Sequence, residues 1–404
     1  MLKSGTWEEA RALLLSAVRP VEKENVPLDA CASRVLAMDL KAEEDVPPFD
    51  RSAYDGYALR AADVMHASPE MPVTLQLTET IPAGHVATRP VLPGMAAHLM
   101  TGAAIPEGAD CVINFERTRF TDAEVTLTCP LRAGDNIVRR GEDVQAGRLL
   151  AASGTRIDAG LAGTLAAQGI VQVPVYRQPV IGLIATGSEI TEPDEPVRAG
   201  GIRNTNRASF TALLQREGCQ VRYLGLCGDD AGAIAEKIRT GARACDMVIL
   251  TGGVSVGDWD VTPEAMEQAG AQILMRGVDM KPGMACAYAL AGNTLVLGLS
   301  GNPASALTNF CVCALPALRT LCGFRETEPR PVTAVLVRAF RKKSPSDRFL
   351  RGRLLLEDGC VRFDASADQG NIVLSSTIGC DTFLRIPAGS GAVEAGTQLK
   401  GFMV

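Results

Sequence analysis

The 404-residue sequence contains three histidines, few aromatic residues and no surplus of positive charge. His66, His85 and His98 lie close together along the chain, which excludes a metal site built from histidines of distant elements. A Ser-His-Asp triad would have to use one of these three, so serine-hydrolase chemistry is disfavoured. The formal net charge of −6 provides no positive field for a nucleic-acid backbone, and any anion must be bound by a local site.

Signals for disulfides and for membrane insertion are lacking too. The 12 cysteines include no Cys-x-x-Cys pair, so we expect reduced, mostly buried thiols. The first residues place Glu8 and Glu9 before a short apolar run, which is typical of a helix rather than a signal peptide. No run of 18 apolar residues occurs. We therefore expect a soluble, cytoplasmic protein that binds neither nucleic acid nor membrane.

The composition that is present indicates a globular protein of two to four domains, with 47% hydrophobic residues, 40 glycines and 23 prolines. A helical pattern runs from Thr6 to about Leu36, and an amphipathic helix is predicted within 154–170. Short alternating runs in 41–150 predict antiparallel strands of a small β domain inserted between these helices. Short strands return in 331–404 and predict a small all-β terminal domain.

Between residues 179 and 323 the pattern is different, because near-continuous apolar strands alternate with helices. This pattern predicts a parallel sheet covered on both faces. The predicted strands are 180–185, 221–226, 247–250 and 295–298, with helices at 205–217 and 230–242. Ligands of such sheets bind beyond the carboxyl ends of the strands, and all four strands are followed there by glycine, hydroxyl or carboxylate groups.

The loop after the third of these strands contains Gly252, Gly253 and Gly257. Glycine permits the positive φ angles of an anion-binding nest, although an ordinary tight turn has the same composition. The spacing matches neither the dinucleotide fingerprint nor a Walker loop. The neighbouring polar loops favour the phosphate interpretation.

Acidic residues gather on the same loops, namely Glu189, Asp229, Asp258 and Asp260. They would repel one another without a cation, and Mg²⁺ suits them because it takes one or two carboxylates and bridges substrate phosphates. The alternative is that Asp229 and Asp230 cap the helix that follows. Asn302, Pro303 and Ser305 likewise could contact a ligand or cap a helix.

Positive charge for an anion beside these acids could come from Lys281, which precedes a Pro-Gly turn, or from Arg203 and Arg207 at a helix start. Loops around Asp55 and Thr101 in the inserted segment carry polar groups as well. Local chemistry does not attach those two loops to the α/β site.

Several motifs together resemble a known family. They are SAYDGYA, Met100-Thr-Gly to Gly-Ala-Asp110, Arg140-Gly-Glu-Asp143, Ala185-Thr-Gly-Ser-Glu, Gly252-Gly-Val-Ser-Val-Gly-Asp-Trp-Asp, Met280-Lys-Pro-Gly and Gly301-Asn-Pro. In this order they are similar to the MoeA family of molybdopterin molybdenumtransferases, which includes the gephyrin E domain.

This resemblance implies four domains and a homodimer whose active site lies near the subunit interface. The expected domains are a helical linker domain (1–45 and 146–178), an inserted β domain (46–145), a MogA-like α/β domain (179–326) and a C-terminal β-barrel-like domain (327–404). The implied reaction is Mg²⁺-assisted insertion of molybdate into adenylylated molybdopterin with release of AMP. Implied further partners are the molybdopterin adenylyltransferase and the recipient molybdoenzymes or their chaperones.

The resemblance also implies the site residues. Those expected to act in catalysis are Asp55, Thr101, Asp143, Glu189, Asp229, Asp260 and Lys281, with Glu189, Asp229 and Asp260 as metal ligands. Those expected to bind the cofactor are Gly252, Gly253, Ser255, Gly257, Asp258, Asn302, Pro303, Ser305, Arg348 and Ser375.

The sequence departs from the family pattern at Met284 and Gly277, where basic residues are common, and at Ser300, which replaces a proline. Arg348 or Arg351, with Ser375 or Ser376, could compensate for the lost positive charge. Two other functions stay open from the sequence: adenylylation of molybdopterin, and a non-catalytic molybdate-binding or scaffold dimer. Tungstate could also replace molybdate.

Overall fold

The computed structural model describes residues 4–254, 261–366 and 368–404. The chain divides into two compact units. The larger unit comprises Met1–Met38, Ser153–Asp158 and Gln172–Val404, and the smaller comprises Asp39–Ala152 and Ala159–Val171.

The helices of the described residues are α1 (Trp7–Ser16), α2 (Ala61–Val64), α3 (Ala159–Ala167), α4 (Thr205–Arg216), α5 (Ala231–Ala244), α6 (Thr262–Gln268), α7 (Pro303–Asn309) and α8 (Leu315–Leu321). The strands are β1 (Lys23–Pro27), β2 (Leu40–Lys41), β3 (Arg51–Ser52), β4 (Gly56–Leu59), β5 (Val73–Ile81), β6 (Met95–Leu99), β7 (Cys111–Asn114), β8 (Thr118–Phe120), β9 (Glu124–Leu127), β10 (Ile137–Val138), β11 (Leu149–Ala151), β12 (Gln172–Tyr176), β13 (Val180–Thr186), β14 (Ile190–Thr191), β15 (Ile202–Arg203), β16 (Gln220–Cys227), β17 (Met247–Thr251), β18 (Gln272–Arg276), β19 (Met280–Lys281), β20 (Cys286–Ala291), β21 (Thr294–Leu299), β22 (Arg330–Leu336), β23 (Asp347–Glu357), β24 (Cys360–Ala365), β25 (Thr382–Ile386) and β26 (Gln398–Met403).

A six-stranded sheet forms the centre of the larger unit, in the order β16-β13-β17-β21-β20-β18. The first four strands are parallel, which confirms the predicted α/β fold. Side chains of successive residues point to opposite faces, so Ile249 packs with α4 and α7–α8 while Val248 and Leu250 pack with α5 and α6. Both faces are therefore covered, which explains the near-continuous apolar strands.

Two features of the larger unit differ from the sequence prediction. The predicted helix from Thr6 to Leu36 is wrong beyond Ser16, because the chain turns at Pro20 and continues as strand β1. Proline has no N–H to donate and restricts the residue before it. The sheet is also mixed rather than wholly parallel, since at one edge β20 pairs antiparallel with β21 and β18 pairs antiparallel with β20.

Residues Pro303–Leu321 form one continuous helical stretch in which a π-helical turn, Phe310–Ala314, joins α7 to α8. By length and composition this is a candidate membrane span within the described residues, but 83% of it is buried. A buried core helix meets the same criteria, and here it packs against the central sheet.

The end of the larger unit is a closed five-stranded barrel. Its strands pair in the order β23-β24-β22-β26-β25, and β25 pairs again with β23. Gly401 permits the closure, because a Cβ atom there would lie 1.9 Å from the carbonyl oxygen of Phe383. The expected C-terminal β-barrel-like domain is confirmed, and β19 of the α/β region pairs with β23 of this barrel.

The smaller unit is built on a second six-stranded sheet, in the order β7-β4-β6-β5-β9-β8. Its two apolar faces form separate cores, one around Leu75 and Ile113 and the other around Ile81 and Val112. The inserted β domain is therefore present, although β5 and β6 run parallel and not antiparallel as expected.

All 12 cysteines are free thiols, and nine of them are buried. Burial raises the pKa of several, for example to about 11 for Cys286 and to about 12 for Cys111. Such thiols are unreactive. This arrangement confirms the expectation of free, mostly buried thiols.

Candidate functional site

A cleft of about 870 Å³ lies at the carboxyl ends of the four parallel strands. The residues that line it are 185–187, 189–190, 202–206, 229, 251–254, 280–285, 300–303, 305, 371–372 and 374. The four predicted strand-end loops therefore meet, as the topology of a parallel sheet requires. The last segment comes from the C-terminal barrel region and lies next to Ser375, which the family resemblance implied as a cofactor-binding residue.

The glycine loop that follows β17 has the positive φ angles that only glycine adopts readily, +112° at Gly252 and +61° at Gly253. A Cβ atom on Gly252 would lie 2.5 Å from the carbonyl oxygen of Thr186. The N–H of Gly252 already donates to Leu299 O at 2.9 Å, so it is not free for a phosphate. The N–H of Gly253 bonds to none of the described residues, and it is the amide that could bind an anion.

Two of the predicted acids, Glu189 and Asp229, line the cleft. Asp229 Oδ2 accepts a hydrogen bond from Ser188 N at 3.1 Å, which joins two neighbouring loops. The Glu189 carboxylate folds over Gly187, where a Cβ atom would meet it at 2.6 Å. Neither acid forms an ion pair with any described residue. Asp230, in contrast, caps α5 by accepting from Ala233 N at 2.8 Å, so only the second aspartate has the capping role.

The predicted cation Lys281 is exposed at the rim of the cleft, in a turn with a cis Lys281–Pro282 peptide bond. Strand β19 places Lys281 beside Arg348 in register. The other two candidate cations, Arg203 and Arg207, bond to residues of the neighbouring loop. Arg203 donates to the carbonyl oxygens of three residues in 192–195, and Arg207 forms an ion pair with Glu192 at 2.7 Å.

The loop after β21 lines the opposite part of the cleft. Asn302 stands at the N-cap position of α7, but its side chain makes no capping bond and is exposed. Pro303 follows at the first helical position, and Ser305, although buried, also lines the cleft. Asn206, which sequence reasoning missed, holds this loop by donating to Gly301 O at 2.9 Å.

Behind the rim, Arg351 is fully buried. Its Nη2 donates to Gly370 O at 3.1 Å and to Ser376 Oγ at 3.0 Å, while its Nη1 has no partner among the residues that the structure describes. Burial lowers the pKa of both Arg351 and Arg348.

Arg348 Nε donates to Ser344 Oγ at 3.2 Å. The predicted Ser375 is exposed on a 3₁₀ turn whose Leu374 lines the cleft.

In the smaller unit the structure brings Asp55 and Thr101 together. Asp55 Oδ1 accepts from Thr101 Oγ1 at 2.7 Å and from Thr101 N at 2.6 Å. Both hydrogen bonds lower the pKa of Asp55, and the bond from the Thr101 hydroxyl has the larger effect. Asp143 is exposed, and its backbone N–H donates to Val46 O. Of the other predicted residues, Ser255, Gly257, Asp258 and Asp260 lie outside the described residues.

Three family models match the chain. The model described as MoeA N-terminal region (domain I and II) matches residues 5–169, a probable molybdopterin binding domain matches 182–320, and the MoeA C-terminal region (domain IV) matches 333–400. The chain is 35% identical over 387 residues to the molybdopterin molybdenumtransferase of Bacillus subtilis (strain 168), covering 95% of this chain and 90% of that protein.

The chain belongs to the MoeA family. The molybdopterin molybdenumtransferase of Staphylococcus aureus strain Mu50 is 34% identical over 373 residues, covering 92% of this chain and 88% of that one. The crystal structure of the molybdopterin biosynthesis MoeA protein of Pyrococcus horikoshii OT3 superposes with a TM-score of 0.84 at 31% identity and covers 100% of both chains. The resemblance inferred from the motifs is confirmed. The cleft described above lies within the regions matched by the molybdopterin binding domain and by domain IV.

We predict that Gly252→Ala lowers the free energy of unfolding by about 2–4 kcal/mol, since the added methyl group meets Thr186 at a positive φ. Gly270→Ala is the matched control. Its φ is also positive, but nothing lies within 4 Å, so the loss should be about 1 kcal/mol. Denaturant unfolding of both variants measures the difference. Equal losses would show that the glycine loop is not closely packed.

Proposed function

We propose that this MoeA-family chain is a molybdopterin molybdenumtransferase that inserts molybdate into adenylylated molybdopterin and releases AMP. The observation that carries the proposal is the cleft itself. It holds two carboxylates without a basic partner among the described residues, the exposed Lys281, and a glycine loop whose Gly253 amide bonds to none of the described residues. Such a set suits a ligand that combines phosphate, a metal ion and an oxyanion.

The residues divide into two groups by charge. Lys281, with Arg348 beside it in register, supplies positive charge for molybdate. The Gly253 amide and the polar side chains of Asn302 and Ser305 offer hydrogen bonds to phosphate oxygens and to the pterin. Cleavage of the phosphoanhydride requires positioning and charge stabilisation rather than a protein nucleophile, which agrees with the scarcity of histidine.

Mg²⁺ fits this donor set. No group of three His, Cys, Asp or Glu side chains that could cage a metal occurs in the described ranges. Asp229 and Glu189 are two carboxylates facing one cleft, and Mg²⁺ binds through one or two carboxylates together with substrate phosphates. We propose Asp229, Glu189 and, by its motif, Asp260 as ligands. When bound, the ion would neutralise charge on the phosphate oxygens.

We predict that the purified protein releases AMP and forms active cofactor when given adenylylated molybdopterin, molybdate and Mg²⁺. Asp229→Asn should lower kcat/KM by about 100-fold, because it removes a charge on the metal-binding side of the cleft. Asp230→Asn is the matched control. It keeps a capping group for α5, so activity should change less than about 2-fold.

Other outcomes of this assay would identify the alternatives. Adenylylation of molybdopterin by ATP would indicate an adenylyltransferase. Tight molybdate binding without AMP release would indicate a storage or scaffold protein. Replacing molybdate with tungstate in the same assay tests metal preference.

We predict that Arg351→Ala weakens molybdate binding at least about 10-fold, because its buried guanidinium has an Nη1 donor without a partner among the described residues. Arg348→Ala should act in the same direction. Arg353→Ala on the same strand is the control, since that side chain is 63% exposed and pairs with Asp364 at 3.6 Å. Calorimetric titration with molybdate measures all three. Unchanged affinity in both Arg348→Ala and Arg351→Ala would contradict this role.

We propose also that the chain is a cytoplasmic homodimer with its active site near the subunit interface, and that Asp55, Thr101 and Asp143 act there. The four-domain division at residues 46, 146, 179 and 327 is part of the same proposal, supported by the separate matches to domains I and II, the molybdopterin binding domain and domain IV. Its partners in the cell would be the molybdopterin adenylyltransferase and recipient molybdoenzymes or their chaperones.

Helix α3 supports self-association. All its residues except Thr164 are alanine, glycine or leucine, yet only Leu165 is buried. We predict that light scattering after size exclusion gives the mass of two chains, and that Ala166→Glu shifts it toward one. Ala123→Glu, at an exposed turn, should leave the mass unchanged. A monomeric wild-type protein would refute the dimer.

A further inference from the structure

A buried hydrogen-bond pair lies directly behind the lysine turn. Asn309 and Tyr288 are 1% and 0% exposed. Asn309 Nδ2 donates to Gly283 O at 2.7 Å, and the Tyr288 hydroxyl donates to Asn309 Oδ1, also at 2.7 Å. Neither side chain lines the cleft, but Gly283 does.

Few other hydrogen bonds hold the turn that carries Lys281. Its base is closed by two backbone bonds, Gly277 N to Cys286 O at 2.8 Å and Val278 N to Met284 O at 3.0 Å. Strand β19 pairs with β23 on one side. For residues 280–285, Asn309 is the one side chain in the described ranges that hydrogen-bonds to their backbone.

The contact is close as well as polar. Gly283 has a φ of +111°, and a Cβ atom on it would lie 3.0 Å from Cβ of Asn309 and 3.2 Å from its Cα. The helix backbone therefore sits against the turn with no room for a side chain between them. Any shift of Asn309 would be transmitted to Gly283, two residues from Lys281.

The chemistry of the pair determines how the Asn309 amide is oriented. Gly283 O can only accept, so the NH₂ group must face it and Oδ1 must face Tyr288. Burial raises the pKa of Tyr288 well above its usual value, so the hydroxyl keeps the proton that it donates. An inverted amide would leave a buried carbonyl oxygen facing another oxygen.

Asn309 also belongs to the helix that begins at the cleft. It is the last residue of α7, whose first turn contributes Pro303 and Ser305 to the lining. A π-helical turn starts at the next residue, and such turns often occur at functional sites. One side chain thus connects two separate walls of the cleft.

We propose that Asn309 is a positioning residue for molybdate binding: held in orientation by Tyr288, it fixes the Gly283 carbonyl and so the turn that presents Lys281. This inference rests on the proposed function. It predicts an effect on the oxyanion substrate that exceeds the effect on the nucleotide-bearing substrate, because Gly252, Gly253 and the two cleft acids make no hydrogen bond to this pair.

The test is steady-state kinetics of cofactor formation with each substrate varied. Asn309→Ala should raise the KM for molybdate by about 10-fold, with the KM for adenylylated molybdopterin changed less than about 2-fold. Tyr288→Phe keeps the packing but leaves Asn309 Oδ1 unpaired, and it should raise the molybdate KM by about 3-fold. Calorimetric titration with molybdate should show the same order of affinities.

Thr308→Val is the matched control. Thr308 is fully buried on the same helical turn, but its hydroxyl donates to Ala304 O within the helix. This variant should lose stability without changing the molybdate KM.

The outcomes separate the two proposals. A wild-type protein that neither binds molybdate nor releases AMP overturns the proposed function and this inference with it. An active wild type whose molybdate KM is unchanged in Tyr288→Phe and Asn309→Ala overturns the positioning role alone. Equal rises in both KM values would also overturn it. If Asn309→Ala does not fold, Tyr288→Phe decides.

Discussion

Four parallel strands end at one edge of the sheet, and the loops that follow carry backbone N–H and C=O groups that the sheet cannot pair. Leaving such groups buried and unbonded would cost about 1–3 kcal/mol each. Side chains bond several of them: Thr262 donates to Gly252 O, Asn206 to Gly301 O and Asn309 to Gly283 O. The shape of the cleft depends on these bonds, and two of them hold a glycine, Gly252 or Gly283, that has a positive φ and a close contact with no room for a larger residue.

Charge is distributed over the cleft in a way that follows from this architecture. The acids Glu189 and Asp229 come from the ends of β13 and β16, whereas Lys281 comes from the turn next to the barrel. Pairing of β19 with β23 places Arg348 beside Lys281. Negative and positive groups therefore lie on different walls, an arrangement that suits a metal–phosphate group at one side and an oxyanion at the other.

Local sequence patterns predicted the central strands well because buried parallel strands leave an unbroken apolar signature. Helices α4 and α5 were found within two residues of their predicted ends. The same reasoning failed after Ser16, where the apolar spacing continues but Pro20 and Pro27 prevent a helix. It also did not reveal that β18 and β20 join the sheet through antiparallel pairing. The direction of a strand is decided by its partners and not by its own composition.

The sequence by itself determined the family, the α/β and β organisation and the loops that meet at the strand ends, because motifs and hydrophobic periodicity are local properties of the chain. Only the tertiary structure decided which of two adjacent aspartates caps a helix and which faces the cleft. It alone showed that Arg351 is buried with a donor that no described residue pairs, and that Asn309 lies behind Gly283. These facts depend on contacts between residues distant in sequence, and no local pattern records such contacts.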